Sequence, residues 1–221
     1  MPASRSRRVS IAPVTPDRWR DLARLFGPRG ACAGCWCMWP RLSRREFVAG
    51  KGAGNRRALR RLVAAGGKPG LIAYVDGEPA GWCALAPRAA YRRFESSRIL
   101  KPVDERPVWS APCLFVARPH RRRGLTVELL SAAVRHARTR GAEVVEGYPI
   151  EARGKRLPDA FAWFGLAAAF RAAGFREVAR RSPSRPIVRY ELRRRRGTVR
   201  AAPASARTVS RRATTRTARR G

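Results

Sequence analysis

The chain has 221 residues, 49 of them Lys or Arg against 15 Asp or Glu, for a formal charge of +34; 44% are hydrophobic, including six tryptophans. That is apolar material enough for one sizeable core. No run of about 18 apolar residues could span a membrane, and the opening MPASRSRR lacks the apolar stretch of a secretory signal, so a soluble cytoplasmic protein is the expectation. Such a charge draws nucleic acid or any polyphosphate. Only four basic residues are lysines, however, and arginine with alanine in such excess is also what GC-rich coding drift produces.

Residues 1–7 read as a disordered basic lead. Arg8 to Val14 alternates weakly, as an edge strand does, and Thr15-Pro16-Asp17 offers an N-cap with proline at the first helical position, predicting a helix from Pro16 to Phe26. The stretch ACAGCWCMWPR (31–41) follows as a connector, and the pattern from Leu42 to Gly54 is ambiguous. Leu59, Leu62 and Val63 recur at helical spacing and predict a helix from Gly54 to Ala65. GLIAYV, Asp76-Gly77 and EPAGWCALA form the clearest hairpin signal in the chain. Residues 88–107 are irregular, and the apolar run Val108–Val116 reads as one central strand buried on both faces. Then come a helix from Leu125 to Arg140, a strand from Glu143 to Pro149, a helix from a cap at Asp159 to Ala173, and two short strands in Glu177–Leu192. Strands alternating with helices indicate a mixed α/β sheet domain over residues 8–192. Residues 193–221 carry eleven arginines with no acid and no aromatic, the composition of a disordered basic tail.

The informative junction is FVARPHRRRGLTVELL, where a buried strand turns through arginines and Gly124 into an amphipathic helix. Physically this is an anion cradle: a helix's first turn presents unpaired N–H groups at the positive end of its dipole, and glycine lets a phosphate approach closely. An ordinary helix start with exposed arginines has the same letters, and the spacing is not that of a Walker loop. The arrangement resembles the GNAT superfamily of N-acetyltransferases, whose acyl-CoA signature reads Gln/Arg-x-x-Gly-x-Gly/Ala after a central strand; here it is Arg121, Arg122, Arg123, Gly124, Leu125 and Thr126. FRAAGFREV (170–178) is similar to the family's later helix-Gly-Phe segment, and the order of elements agrees across residues 8–192.

The resemblance implies a mainly antiparallel central sheet flanked by helices. It implies acetyl-CoA as co-substrate, with no metal. Backbone groups of Leu114, Phe115 and Val116 would pair with the pantetheine arm, and the amides from Arg122 to Val127 would wrap the pyrophosphate. It also implies direct attack of an amine on the thioester, which needs a deprotonated amine, donors for the oxyanion and a proton for the departing thiolate. The family's usual tyrosine acid is replaced here by Phe170, and its usual asparagine by Trp163. Tyr148 is the substitute acid candidate and Glu146 the substitute base, because strand alternation puts both on one face; each could equally be a packing or ion-pairing residue. His120 and His136 read as solvated, and Asp104 and Glu105 as loop acids near where an acceptor could lie.

Cys32, Cys35 and Cys37 leave three readings open: a zinc site short of a fourth local ligand, a redox pair, or packing and pocket lining. In a GNAT fold this connector borders the acceptor side, so Trp36, Met38 and Trp39 are expected to form an apolar wall there. The rival to an enzyme is a degenerate GNAT-like protein that binds nucleic acid through its basic body and tail. Neither acceptor nor oligomeric state is specified by the sequence.

Overall fold

The computed structural model describes residues 7–152 and 163–192. The tail, the cap expected at Asp159 and all of the basic lead except Arg7 lie outside the described residues. β1 (Val9–Pro13) leads through a 3-10 turn into α1 (Trp19–Phe26), followed by α2 (Arg44–Ala49), α3 (Ala53–Ala64), β2 (Gly70–Val75), β3 (Glu78–Ala84), β4 (Ala86–Pro87), β5 (Trp109–Ala111) and β6 (Leu114–Val116). α4 (Leu125–Thr139), β7 (Val144–Gly147), α5 (Ala167–Ala172), β8 (Arg176–Arg180) and β9 (Pro186–Glu191) complete it. The hairpin forms where the sequence puts it: Val75 faces Glu78, and Asp76 and Gly77 both take the positive φ (51° and 88°) that a two-residue primed turn requires. α2 fills the ambiguous segment. Its signal was present, since Ser43 Oγ accepts the Glu46 N–H and Glu46 Oε2 accepts the Ser43 N–H at 2.8 Å, a full capping box.

The run 108–116 is not one strand. β5 pairs in parallel with β7, and β6 pairs antiparallel with β3, so the apolar run passes from one sheet to another across Pro112-Cys113. Proline has no N–H for a ladder, and the strand divides there. The two sheets have the orders β1-β2-β3-β6 and β4-β5-β7-β9-β8, antiparallel except at β5-β7. This is the mixed, mainly antiparallel architecture expected. α4 covers one face of the first sheet, with Leu125, Leu129 and Leu130 fully buried, each worth about 1.5–3 kcal/mol of burial. A Cβ on Gly81 would come within 3.0 Å of Leu129 and 3.2 Å of Leu125, so the glycine lets the start of α4 lie directly on β3. The opposite face buries Leu22, Phe26, Leu59 and Val63 around Ile72 and Trp82.

The second sheet is held by a buried ionic network. Arg88 Nη1 donates to Glu146 Oε1 (2.9 Å) and to the Tyr148 hydroxyl (2.7 Å), while Arg189 Nε donates to Glu146 Oε2 (2.8 Å). Tyr148 donates to Glu146 Oε1 (2.7 Å) and lies 2.8 Å from Ser110 Oγ, and Arg189 grips Asp104 with two bonds of 2.6 and 2.9 Å. Tyr148 and Glu146 do share a face, as alternation predicted. Both residues are nevertheless wholly inaccessible, and burial first, then the Glu146 carboxylate, pushes the Tyr148 phenol well above its ordinary value. A phenol so held is a poor proton donor, and the Glu146 carboxylate, engaged by two guanidiniums and a hydroxyl and closed off from solvent, is out of an amine's reach. The expected acid and base are therefore structural groups. Asp104, likewise, is the partner of Arg189, whose hydrogen bond holds its carboxyl below the usual range.

Removing one partner from such a network strands a buried charge. Glu146→Gln should cost about 3–5 kcal/mol in urea unfolding, and Tyr148→Phe about 1–3 kcal/mol through the orphaned Ser110 and Arg88 groups. Unchanged stability in both variants would contradict this assignment.

Candidate functional site

The turn before α4 is built as a cradle. Arg122 (φ 59°) and Gly124 (φ 81°) are both left-handed, so the backbone coils tightly through residues 121–125. Among the described residues nothing accepts the N–H groups of Arg122, Arg123, Gly124, Leu125 or Thr126. The Val127 N–H, by contrast, is spent on the Gly124 carbonyl (2.9 Å), so it closes the turn and the cradle is one residue shorter than expected. A Cβ on Gly124 would meet nothing within 4 Å, so the position is glycine for its backbone angle while the space beyond it stays open. The side chains of Arg122 and Arg123 are exposed. Arg121 Nε instead donates to the Val116 carbonyl at 2.9 Å, tying the cradle to the end of β6. From the other side Arg7 Nη1 donates to the Arg123 carbonyl (2.9 Å), and its second nitrogen pairs with Glu128. His120 precedes the cradle with its Nδ1 buried and without a hydrogen-bond partner in the described residues, and His136 is half-buried on α4 with its ring edge toward Trp109.

The cradle continues into an open strand edge. Ala84 N–H bonds to the Cys113 carbonyl and Ala117 N–H to the Ala80 carbonyl, so the odd-numbered residues of β6 spend their backbone groups on β3. Leu114 and Val116 turn theirs the other way, toward the gap left where β5 departs to the second sheet. Phe115 has no backbone group on that side. It supplies its ring, which meets Phe26 edge-on at 6.0 Å.

Beside this edge lies a cavity of about 210 Å³ with an almost wholly apolar wall. Phe26, Phe47, Trp39, Trp163, Leu114 and Phe115 line it, together with Cys32, Cys35, Cys37 and Cys113, and Lys51 is the one charged side chain among the described residues of its lining. Trp39 meets Trp163 edge-on at 5.0 Å, Trp163 stacks on Phe164 at 3.8 Å, and Arg93 sits over the Trp39 ring at 4.8 Å. Of the three residues expected to form the wall, only Trp39 does. Trp36 is 2% exposed and stacks on Trp19, its ring lying where a Cβ on Gly30 would come within 2.3 Å. Met38 is buried in the same core. Two consecutive left-handed residues, Trp36 (φ 46°) and Cys37 (φ 55°), reverse the facing that simple alternation suggests and turn thiols to the cavity. Asn55 pins the loop from behind, Nδ2 donating to the Gly34 carbonyl at 3.1 Å.

None of the five cysteines is joined in a disulfide, and no three His, Cys, Asp or Glu side chains among the described residues converge as a metal site. Phe170 has no role at the cavity: its ring packs where a Cβ on Gly147 would come within 2.1 Å.

A family model described as the acetyltransferase (GNAT) family matches residues 36–148, just over half of the chain. No curated protein matches the chain in sequence. Among solved structures, a GNAT acetyltransferase from Listeria monocytogenes superposes with TM-score 0.51 at 10% identity, covering 83% of this chain and 95% of its own. YncA from Salmonella typhimurium, solved with its cofactor acetyl-CoA, gives 0.50 at 16%, covering 90% and 99%. A GNAT acetyltransferase from Streptococcus agalactiae gives 0.50 at 11%, covering 84% and 96%. At such identities these likenesses concern the fold. The family match includes β3, β6 and the cradle, the elements that build the open edge, together with β7, and with it the chain belongs to the GNAT family of acetyltransferases.

Proposed function

We propose that residues 8–192 form a catalytic domain that transfers an acetyl group from acetyl-CoA to an amine. The observation that carries this reading is the continuity of two backbone surfaces: the outward N–H and C=O of Leu114 with the outward N–H of Val116, whose carbonyl holds Arg121 Nε, and the five amides from Arg122 to Thr126 that find no acceptor among the described residues. A pantetheine arm has amides that suit the first, and a pyrophosphate suits the second. The dipole of the 15-residue α4 favours an anion at its N-terminus by about 0.3–1 kcal/mol, more when partly buried. Arg122 and Arg123 add exposed positive charge there, and Arg121 holds the two surfaces in register. Thr126 brings a half-buried hydroxyl to the same turn.

The acetyl carbonyl would then lie by the Val116 N–H. A preorganised donor at a developing oxyanion contributes on the order of 10²–10³ in rate. Trp39, Trp163 and Phe47 exclude water from the acceptor side, so that an amine entering the cavity attacks without its hydration shell. Neither Tyr148 nor Phe170 supplies a proton there.

Saturating acetyl-CoA should raise the melting temperature of the full chain, corresponding to about 2.7 kcal/mol at a hundredfold excess over Kd. Gly124→Glu, which puts bulk and negative charge where a phosphate belongs, should abolish the shift. An unshifted wild type at millimolar acetyl-CoA would refute the reading. Trp39→Ala should keep the acetyl-CoA shift and alter the pattern of CoA release across a panel of amines; an unaltered pattern would remove the cavity from the acceptor site.

A further inference from the structure

A cavity suited to an amine already contains one. Lys51, in the turn between α2 and α3, belongs to its lining together with Leu114 and Phe115 of β6. Only four of the 49 basic residues are lysines, and an arginine in this place, always protonated, would offer no nucleophilic nitrogen. The stem of the side chain is held and its tip is not. Gly34 of the cysteine loop lies so near that a Cβ there would come within 3.0 Å of Lys51 Cγ and 2.6 Å of the Gly52 nitrogen. The Gly52 N–H donates to the Gly34 carbonyl at 3.0 Å, and the buried Asn55, in the first turn of α3, donates to the same carbonyl. Loop and turn are thus locked together with the Lys51 stem against them. The residue is exposed, so it stands at the cavity mouth, and among the described residues no carboxylate pairs with it. Glu46, the acid of α2, is spent on the Ser43 cap and on Arg92 at 3.8 Å. A cavity of about 210 Å³ is, if compact, little wider than a lysine side chain is long. The amine can therefore swing from the mouth to the wall formed by β6.

We propose that Lys51 is a self-acetylation site, its Nζ taking the acetyl group from acetyl-CoA bound to the same molecule when no other acceptor fills the cavity. This rests on the acetyl-CoA reading of the site. A charge buried without a partner is costly, so the amine enters as the free base and leaves one proton with water. The bond from Nζ to the carbonyl carbon forms, the bond from that carbon to the CoA sulfur breaks, and the electron pair departs on the sulfur. The nitrogen gives its second proton to water, and the products are a neutral acetamide on Lys51 and CoA. Tethering supplies what a missing base would otherwise add, because an amine held beside the thioester acts at a high effective concentration. The product also suits its surroundings better than the reactant did, an uncharged acetamide lying against Trp39 and Phe47 where an ammonium would be desolvated.

The test is to incubate the full chain with acetyl-CoA and no acceptor, then map peptides by mass spectrometry. The proposal expects one acetyl group on Lys51, stable to hydroxylamine as an amide is, with an equal amount of CoA released. Labelling should saturate with acetyl-CoA, keep the same rate constant as the protein is diluted, and outpace that of Lys68, Lys101 and Lys155 by more than about tenfold. Lys51→Arg should lose the label and keep the acetyl-CoA melting shift, whereas Gly124→Glu should lose both. Should Lys51→Arg fold poorly, the position of the label and its independence of protein concentration in the wild type decide the matter. A melting shift without the label, labelling of all four lysines at comparable rates, or a rate constant that falls on dilution would overturn the proposal and leave the acetyl-CoA reading standing. Absence of the shift itself would overturn both.

Discussion

The division of residues 108–116 at Pro112 is the constraint on which the rest depends. A continuous strand would pair on both sides and leave nothing exposed. Because the chain changes sheets after Ala111, β6 keeps β3 on one side and has no strand on the other, and the polar groups of Leu114 and Val116 face a gap. Unpaired buried backbone is costly unless something occupies it. The same break puts the Cys113 side chain on the wall of the cavity, across from the loop that carries Cys37. The open edge and the Cys113 side of the cavity thus follow from one missing N–H.

The second sheet answers with rigidity. Arg88, Glu146, Arg189 and Asp104 join the segment after β3, strand β7, strand β9 and the loop before β5, with side-chain exposures of 9%, 1% and 4% for the first three. Charges that dry need each other, and each fixes its partners' positions. Two sheets meeting at a gap would otherwise be free to close it. The network therefore helps to hold open the space that the splay creates, although none of its members lines the cavity.

What the sequence made legible was local. Asp76-Gly77 carries its turn geometry in two residues and the Arg121–Thr126 signature carries the turn into α4 in six, whereas the Ser43-x-x-Glu46 cap of α2 sits in a segment whose hydrophobic pattern reads as ambiguous. What it hid was a matter of pairing or of unusual backbone. An apolar run reads alike whether it lies in one sheet or two. The partner that makes Glu146 structural is Arg88, 58 residues away, and no spacing rule connects them. Side-chain facing in 31–39 follows neither helical nor strand period, because left-handed residues interrupt both; hence the tryptophan nearest the thiols turns inward and the thiols outward.

The interior network also changes how the molecule looks from outside. Only 15 acids accompany 49 basic residues, and Glu146 is shut in the core while Asp104 is bound to Arg189, leaving fewer carboxylates still to temper the surface. On the proposed function, such a balance of charge would draw a molecule bearing several phosphates before contact. Arrival would then be a property of the whole charge distribution, faster in dilute buffer than in salt, whereas retention would belong to a handful of backbone amides.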